Sequence, residues 1–297
     1  MIDMMIKARP KNLGGFTVGR ILPFAKRRMV GPFVFLDHMG PAEFAPGVEG
    51  LNVRPHPHIG LSTVTYLFEG QARHYDSLGS DLTILPGEVN WMTAGRGIAH
   101  SERTDASVRA AGLRMHGMQA WVGLPIENED DPPAFDHYGP EDMPTYSEGG
   151  LHARLIAGNA FGVTARVKTH SPLFYVHWQM AAGTVGGVPA DHPERAVYVA
   201  TGRVEIEGRE FVGGQMAVLN PGGSVAVKAL EASTVMLLGG EPIGPRILWW
   251  NFVASSQDRI DAAKADWKAG RMPLPPADNG EFIPLPEDPP PPPPPMS

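Results

Sequence analysis

Short apolar runs broken by glycine and proline fill most of the chain, and one stretch only, 255–268, carries a helical period. Phe33-Val34-Phe35-Leu36 ends in the polar pair Asp37-His38. From His56 to Glu69 the sequence is rich in β-formers, with Ile59, Thr63, Val64, Thr65, Tyr66 and Phe68, and stops at Gly70. Leu82–Leu85 runs into the turn dipeptide Pro86-Gly87, Val89–Ala94 into Gly95-Arg96-Gly97, and Leu113–Leu124 closes the series. With an extended leader over the first thirty residues, these strands predict one antiparallel barrel in residues 1–126. Residues 127–150 turn acidic and Pro-rich, the composition of a connector. Short strands resume at 151. In the helix, Ile260, Ala263, Lys264 and Trp267 share a face, with Ser255 or Ser256 to cap it and Gly270 to end it. A second barrel plus this helix therefore spans 151–272. The remainder, 273–297, is Pro-rich, ends in prolines 289–295, and is expected to be a solvated, disordered tail. The fold class is all-β: two antiparallel barrels packed together, with a short C-terminal helix.

A weak internal repeat supports the duplication. Thr65–Ala72 aligns with Val197–Val204, and Leu85–Val89 with Asn220–Ser224. Carried across, His56 and His58 fall on Val188 and Ala190, and His100 and Glu102 on Val235 and Leu237. Methyl groups hold no metal, so the second barrel is expected to be structural. His192, two places out of register, reads as a surface or capping histidine.

Composition narrows the classes. The 297 residues carry a net charge of -7, which gives no basic face for direct nucleic-acid binding. There is no cysteine, so thiolate ligands, disulfides and a cysteine nucleophile are excluded. No apolar run approaches a membrane span and no basic-then-apolar leader is visible, so a cytoplasmic protein is expected.

The chemistry lies in two strings. Arg-Pro-His-Pro-His at 54–58 carries His56 and His58, and Ala-His-Ser-Glu at 99–102 carries His100 and Glu102. Residues two apart on a strand face the same way, so each string presents a pair. On neighbouring strands of a barrel, three imidazoles and one carboxylate would converge, a donor set for a divalent first-row transition metal. Zn fits these ligands too, and Mn, Ni and Cu stay open. Glu102 is also the natural base for an acidic substrate proton. Asp37 and His38 are turn or cap residues or sit at the pocket rim. His74 is either a hydrogen-bonded histidine or a pocket group that orients a ligand.

Three stretches carry a resemblance: Val30–His38, Arg54–Gly60 and Pro86–Glu102, the last reading Pro-Gly-Glu-Val-Asn-Trp-Met-Thr-Ala-Gly-Arg-Gly-Ile-Ala-His-Ser-Glu. The chain resembles the pirin family, two-barrel members of the cupin superfamily, strongly over residues 1–125 and more loosely to about 270. The carboxylate usual a few residues after the His-x-His of cupins is replaced here by Leu61 and Ser62, and Glu102 takes its place, as in pirins. The resemblance implies a bicupin with Fe(II) on His56, His58, His100 and Glu102, and a quercetin 2,3-dioxygenase activity on flavonols or other enolic aromatics. The alternative is a non-catalytic regulatory protein whose iron oxidation state is read by a protein partner, and a third reading is a metal-free structural bicupin.

Overall fold

The computed structural model describes residues 1–13 and 16–287, so prolines 289–295 lie outside the described residues. The first part of the chain supplies β1 (Ile2–Lys7), β2 (Arg9–Asn12), β3 (Thr17–Leu22), β4 (Phe33–Phe44), β5 (Asn52–His58) and β6 (Leu61–Glu69). It continues with β7 (Ala72–Asp76), β8 (Asp81–Ile84), β9 (Val89–Thr93), β10 (Ile98–Arg103), helix α1 (Ala106–Ala111), β11 (Leu113–Gly123) and β12 (Ala134–Tyr138). The second part holds β13 (Thr145–Glu148), β14 (Leu151–Ala160), β15 (Val163–Thr164), β16 (Leu173–Met180), β17 (Val185–Val188), β18 (Glu194–Thr201) and β19 (Arg203–Ile206). Then follow β20 (Arg209–Val212), β21 (Gln215–Leu219), β22 (Val225–Ala229), β23 (Ser233–Gly240), β24 (Ile247–Trp249), β25 (Phe252–Ala254) and α2 (Gln257–Lys268).

Each half pairs a large antiparallel sheet with a four-stranded one, and the strand orders correspond. The large sheets run β12-β9-β6-β11-β4-β3-β2 and β1-β21-β18-β23-β16-β14-β13, the small ones β5-β10-β7-β8 and β17-β22-β19-β20. The correspondence extends to the edges, where β1 and β12 take equivalent places. The leader strand β1 pairs with β21 of the second half, and β12, from the connector, pairs with β9 of the first. Each contribution covers a sheet edge that would otherwise expose unpaired backbone groups.

The large sheets are buried on both faces, which is why β18 reads as a nearly continuous apolar run rather than an alternation. Ala196 and Tyr198 pack with Val64, Tyr66 and Trp91 in a core shared by the two halves. Val197 and Val199, on the opposite face, pack with Trp178 and Leu237 inside the second barrel. The shared core is stitched by two crossed polar pairs, His38 Nδ1 to Tyr198 Oη at 2.7 Å and His177 Nδ1 to Tyr66 Oη at 2.9 Å. Tyr66 and Tyr198 are matching positions of the sequence repeat, so each half gives one tyrosine and one histidine.

Burial pushes the imidazoles of His38 and His177 from 6.5 down to about 3, with the neighbouring His116 and Arg154 as smaller contributions. Between those values the unfolded chain binds more protons than the folded one, so stability rises with pH and is lost as pH falls from 6.5 towards 3. At pH 4.5 each histidine is expected to remove on the order of 2 kcal/mol. Urea denaturation at pH 7 and 4.5 checks this, since phenylalanine at either position should flatten the difference.

The interior of the second barrel is filled. Trp178 occupies it, its indole 2.8 Å from where a Cβ on Gly186 would stand. Matching the ends of β5 with β17 and of β10 with β22 puts His56 on Gly186, His58 on Val188, His100 on Val227 and Glu102 on Ala229. Val235 and Leu237, expected from the sequence alignment, instead lie on β23, the match of β11. The halves differ in loop length between matching strands, so a single offset drifts by one strand. His192, read as a surface or capping residue, is buried and bonds Asn159 O through Nε2 at 3.2 Å.

The C-terminal segment returns to the first barrel. Val253 N–H donates to Ile59 O, and Ile260, Ala263 and Trp267 of α2 pack with Ile59 and Ala99. Residues 273–287, expected as part of a solvated tail, continue along the same surface. Trp267 Nε1 donates to Ile283 O at 3.0 Å, Ile283 N–H donates to Pro55 O at 2.8 Å, and Arg103 pairs with Asp278 at 2.8 Å. Aromatic packing and a charge pair give this stretch partners that its composition did not reveal.

Candidate metal centre

The centre is built on β5 and β10, which pair antiparallel with His100 directly opposite His56 and Ile98 opposite His58. The register shifts between His100 and Glu102, so that β5 takes three steps, Val53 to His56, where β10 takes two. This bulge falls at Arg54-Pro55, where Pro55 has no N–H to give to the ladder. All three imidazoles point into the first barrel. One ring nitrogen of each lies within 4.8 Å of the other two, and all three residues are buried.

The hydrogen bonds fix how the rings present themselves. His56 Nδ1 donates to Arg54 O at 2.8 Å and His58 Nδ1 donates to Asn251 O at 3.1 Å. Each therefore turns a bare Nε2 inward, the arrangement by which outer partners orient metal-binding histidines. His58 Nε2 and His100 Nε2 stand 3.2 Å apart, while His100 Nδ1 is buried with no hydrogen-bond partner. Two ring nitrogens bound side by side to one ion at about 2.1 Å would be separated by about 3 Å. Burial lowers all three imidazoles, His56 to about 4 and the others well below the ordinary value, so the rings are neutral donors at pH 7. Neutral, converging and incompletely bonded to protein, the imidazoles fit a divalent transition metal.

Glu102 stands beside this cluster rather than within it. Thr65 Oγ1 lies 3.3 Å from Glu102 Oε1 and 2.8 Å from Gln119 Oε1, so its single proton is contested. Burial raises the Glu102 carboxyl, against smaller opposing effects of His74 and Thr65. Both the cluster and Glu102 line a cavity of about 550 Å³ whose wall includes Phe35 and Trp121, stacked with ring centroids 3.9 Å apart.

The three remaining sequence candidates separate. Asp37 lines the cavity, held by Arg20 through two bonds of 2.9 and 2.8 Å; burial nevertheless raises its carboxyl above the usual range. His38, the next residue, is on the opposite face of β4 and points into the core between the barrels. There it bonds Tyr198 and His116, so it is no rim residue. His74 is not in the cavity wall. It lies behind the centre, its ring 5.3 Å from that of His100, stacked on Phe135 and bonded to Asp76 at 3.1 Å. The sequence reading missed Asn251, whose carbonyl orients His58 from 193 positions away, and the cations Arg9, Lys11 and Arg20 on the cavity wall. Trp250, at a positive φ of 52°, turns the β24–β25 hairpin that delivers Asn251, and nothing local announces it.

Comparison with known proteins agrees with this architecture. The profile of the pirin family matches residues 15–122, and that of the pirin C-terminal cupin domain matches residues 175–273. A pirin-like protein of Caulobacter vibrioides is 63% identical over 289 residues, covering 97% of this chain and 100% of that one. A quercetin 2,3-dioxygenase of Acinetobacter baumannii superposes with a TM-score of 0.89 at 35% identity, covering 96% of this chain and 95% of that one. A second quercetin 2,3-dioxygenase structure from the same organism gives a TM-score of 0.85 at 29% identity, over 92% and 98% of the two chains. No helix among the described residues is long and apolar enough to cross a membrane.

Proposed function

Because the chain belongs to the pirin family, we propose that it is an Fe(II)-dependent dioxygenase acting on quercetin-like flavonols or other enolic aromatics. In this reading His56, His58, His100 and Glu102 would hold the ion, Glu102 swinging off it to act as a base. The observation that carries the reading is the closed end of the cavity: three neutral imidazoles converge there, while the matching space of the second barrel is packed solid with Trp178. When bound, the ion supplies a centre that favours the ionised enol of the substrate and brings redox chemistry to O2.

The chain's own residues do the rest. Glu102, with its carboxyl raised by burial, takes the proton of the substrate enol, since its affinity for that proton lies nearer neutrality than an ordinary carboxylate's. The Thr65 hydroxyl stands within hydrogen-bond reach of the Glu102 carboxyl. Phe35, sandwiched between Trp121 and the Arg20 guanidinium, and Trp121 itself give the cavity wall an apolar side for an aromatic ring and keep water from the reacting end. Arg54 O and Asn251 O keep the Nε2 atoms of His56 and His58 aimed inward.

Iron-loaded protein is expected to bleach quercetin with matching O2 uptake. Glu102→Gln should keep its three imidazoles yet lose about 10²–10⁴-fold in rate, the usual worth of a placed base. Absence of turnover on enolic aromatics with Fe, Mn, Ni, Cu and Zn alike would remove the proposal.

A further inference from the structure

The outer part of the same cavity has an electrostatic character that enolisation does not call for. Strand β2 pairs with β3 so that Arg9 stands opposite Arg20 and Lys11 opposite Val18, and all four side chains line the cavity. Arg9 and Lys11 are two apart on one strand, hence on one face, and both are exposed, whereas the imidazoles are buried. They therefore mark the mouth. Two guanidinium groups directly opposite each other across strands destabilise a sheet, and this pair is kept in a chain of net charge -7.

The cations are also under-neutralised. Arg20 is held by Asp37, both of whose carboxylate oxygens it occupies. Arg9 donates to the carbonyls of Ile21 and Pro23, which orient it without cancelling its charge. Among the described residues neither Arg9 nor Lys11 forms an ion pair with a carboxylate; both act on Asp37 only from a distance. The mouth thus offers two uncompensated donors above an aromatic wall, with the reacting end beyond it.

Resting on the dioxygenase reading, we propose that the physiological substrate is an aromatic enol that also carries a carboxylate. Arg9 and Lys11 receive the carboxylate at the mouth, the ring passes the apolar side of the wall at Phe35 and Trp121, and the enol reaches Glu102. A guanidinium set by carbonyls suits the planar anion, and Lys11 adds a second charge on a flexible stem. Both are specificity residues rather than catalytic ones.

The test uses two shape-matched probes on the metal-loaded full chain: a flavonol bearing a 4′-carboxylate and its methyl ester. Binding is read from quenching of tryptophan fluorescence, for which Trp121 is in the wall. The carboxylate is expected to bind about tenfold more tightly than the ester at low ionic strength, with the advantage shrinking towards parity at about 0.5 M salt. Lys11→Gln, whose side chain makes no hydrogen bond to the rest of the described chain, should remove part of that preference. Arg9→Gln/Lys11→Gln should remove all of it, with ester affinity unchanged in both variants. Equal binding of the two probes by the unaltered protein, or a preference that survives in the double variant, overturns the inference and leaves the dioxygenase reading intact. Binding of neither probe overturns both.

Discussion

Alanine at His56 is expected to abolish metal retention: protein purified without chelators should fall from about one ion per chain to a small fraction of that, and quercetin turnover should vanish with it. The reason is geometric. His56 and His100 form a directly opposed cross-strand pair, and His58 follows on the same face, so each imidazole supplies a third of the converging nitrogen set. Loss of an outer partner of a ligand typically costs about 10–100-fold in affinity; loss of a ligand itself costs more. The apo fold should tolerate the change, because the imidazole is buried, neutral and bonded only to Arg54 O in its own strand. Elemental analysis with a melting curve separates the two effects. Alanine at His152, a histidine bonded to Ser147 in the second half, is the control. Unchanged metal content in the His56 variant would remove the site from β5.

Much of this centre was legible because a strand's period is two. Any strand carrying His-x-His aims both rings at one side, so His56, His58 and His100 could be grouped without coordinates. What could not be read were contacts over long sequence distances. The carbonyl of Asn251 reaches His58, Ile283 N–H reaches Pro55 O, and β1 joins the sheet of the second half although β2 and β3 after it belong to the first. Asp37 and His38 show the limit of composition: adjacent strand residues face opposite ways, so only one could reach the cavity, and the sequence does not say which. Glu102 was grouped with the histidines by its spacing; it shares their cavity, and the register shift at Arg54-Pro55 between it and His100 is not written in the sequence.

Alanine at Trp178 is expected to destabilise the protein by about 3–5 kcal/mol, the range for truncating a buried large aromatic residue. The second barrel has the strand order of the first, and at the matching place the Trp178 indole fills the space. Its glycine at 186, where the first barrel has His56, leaves room for the indole to press against the strand. Val188, Val227 and Leu237 complete an apolar surround, so the hole left by alanine would be dry and unable to recover the lost contacts with water. Phenylalanine should restore most of the loss, because the indole Nε1–H is buried without a hydrogen-bond partner and its removal strands no acceptor. Metal content at 25 °C should be unaffected in either variant, since Trp178 packs in the second barrel's core and the imidazoles lie in the first. Urea denaturation gives the number. A loss below about 1 kcal/mol for alanine would mean that the barrel collapses around the gap, and that the tryptophan is not what keeps the duplicate site closed.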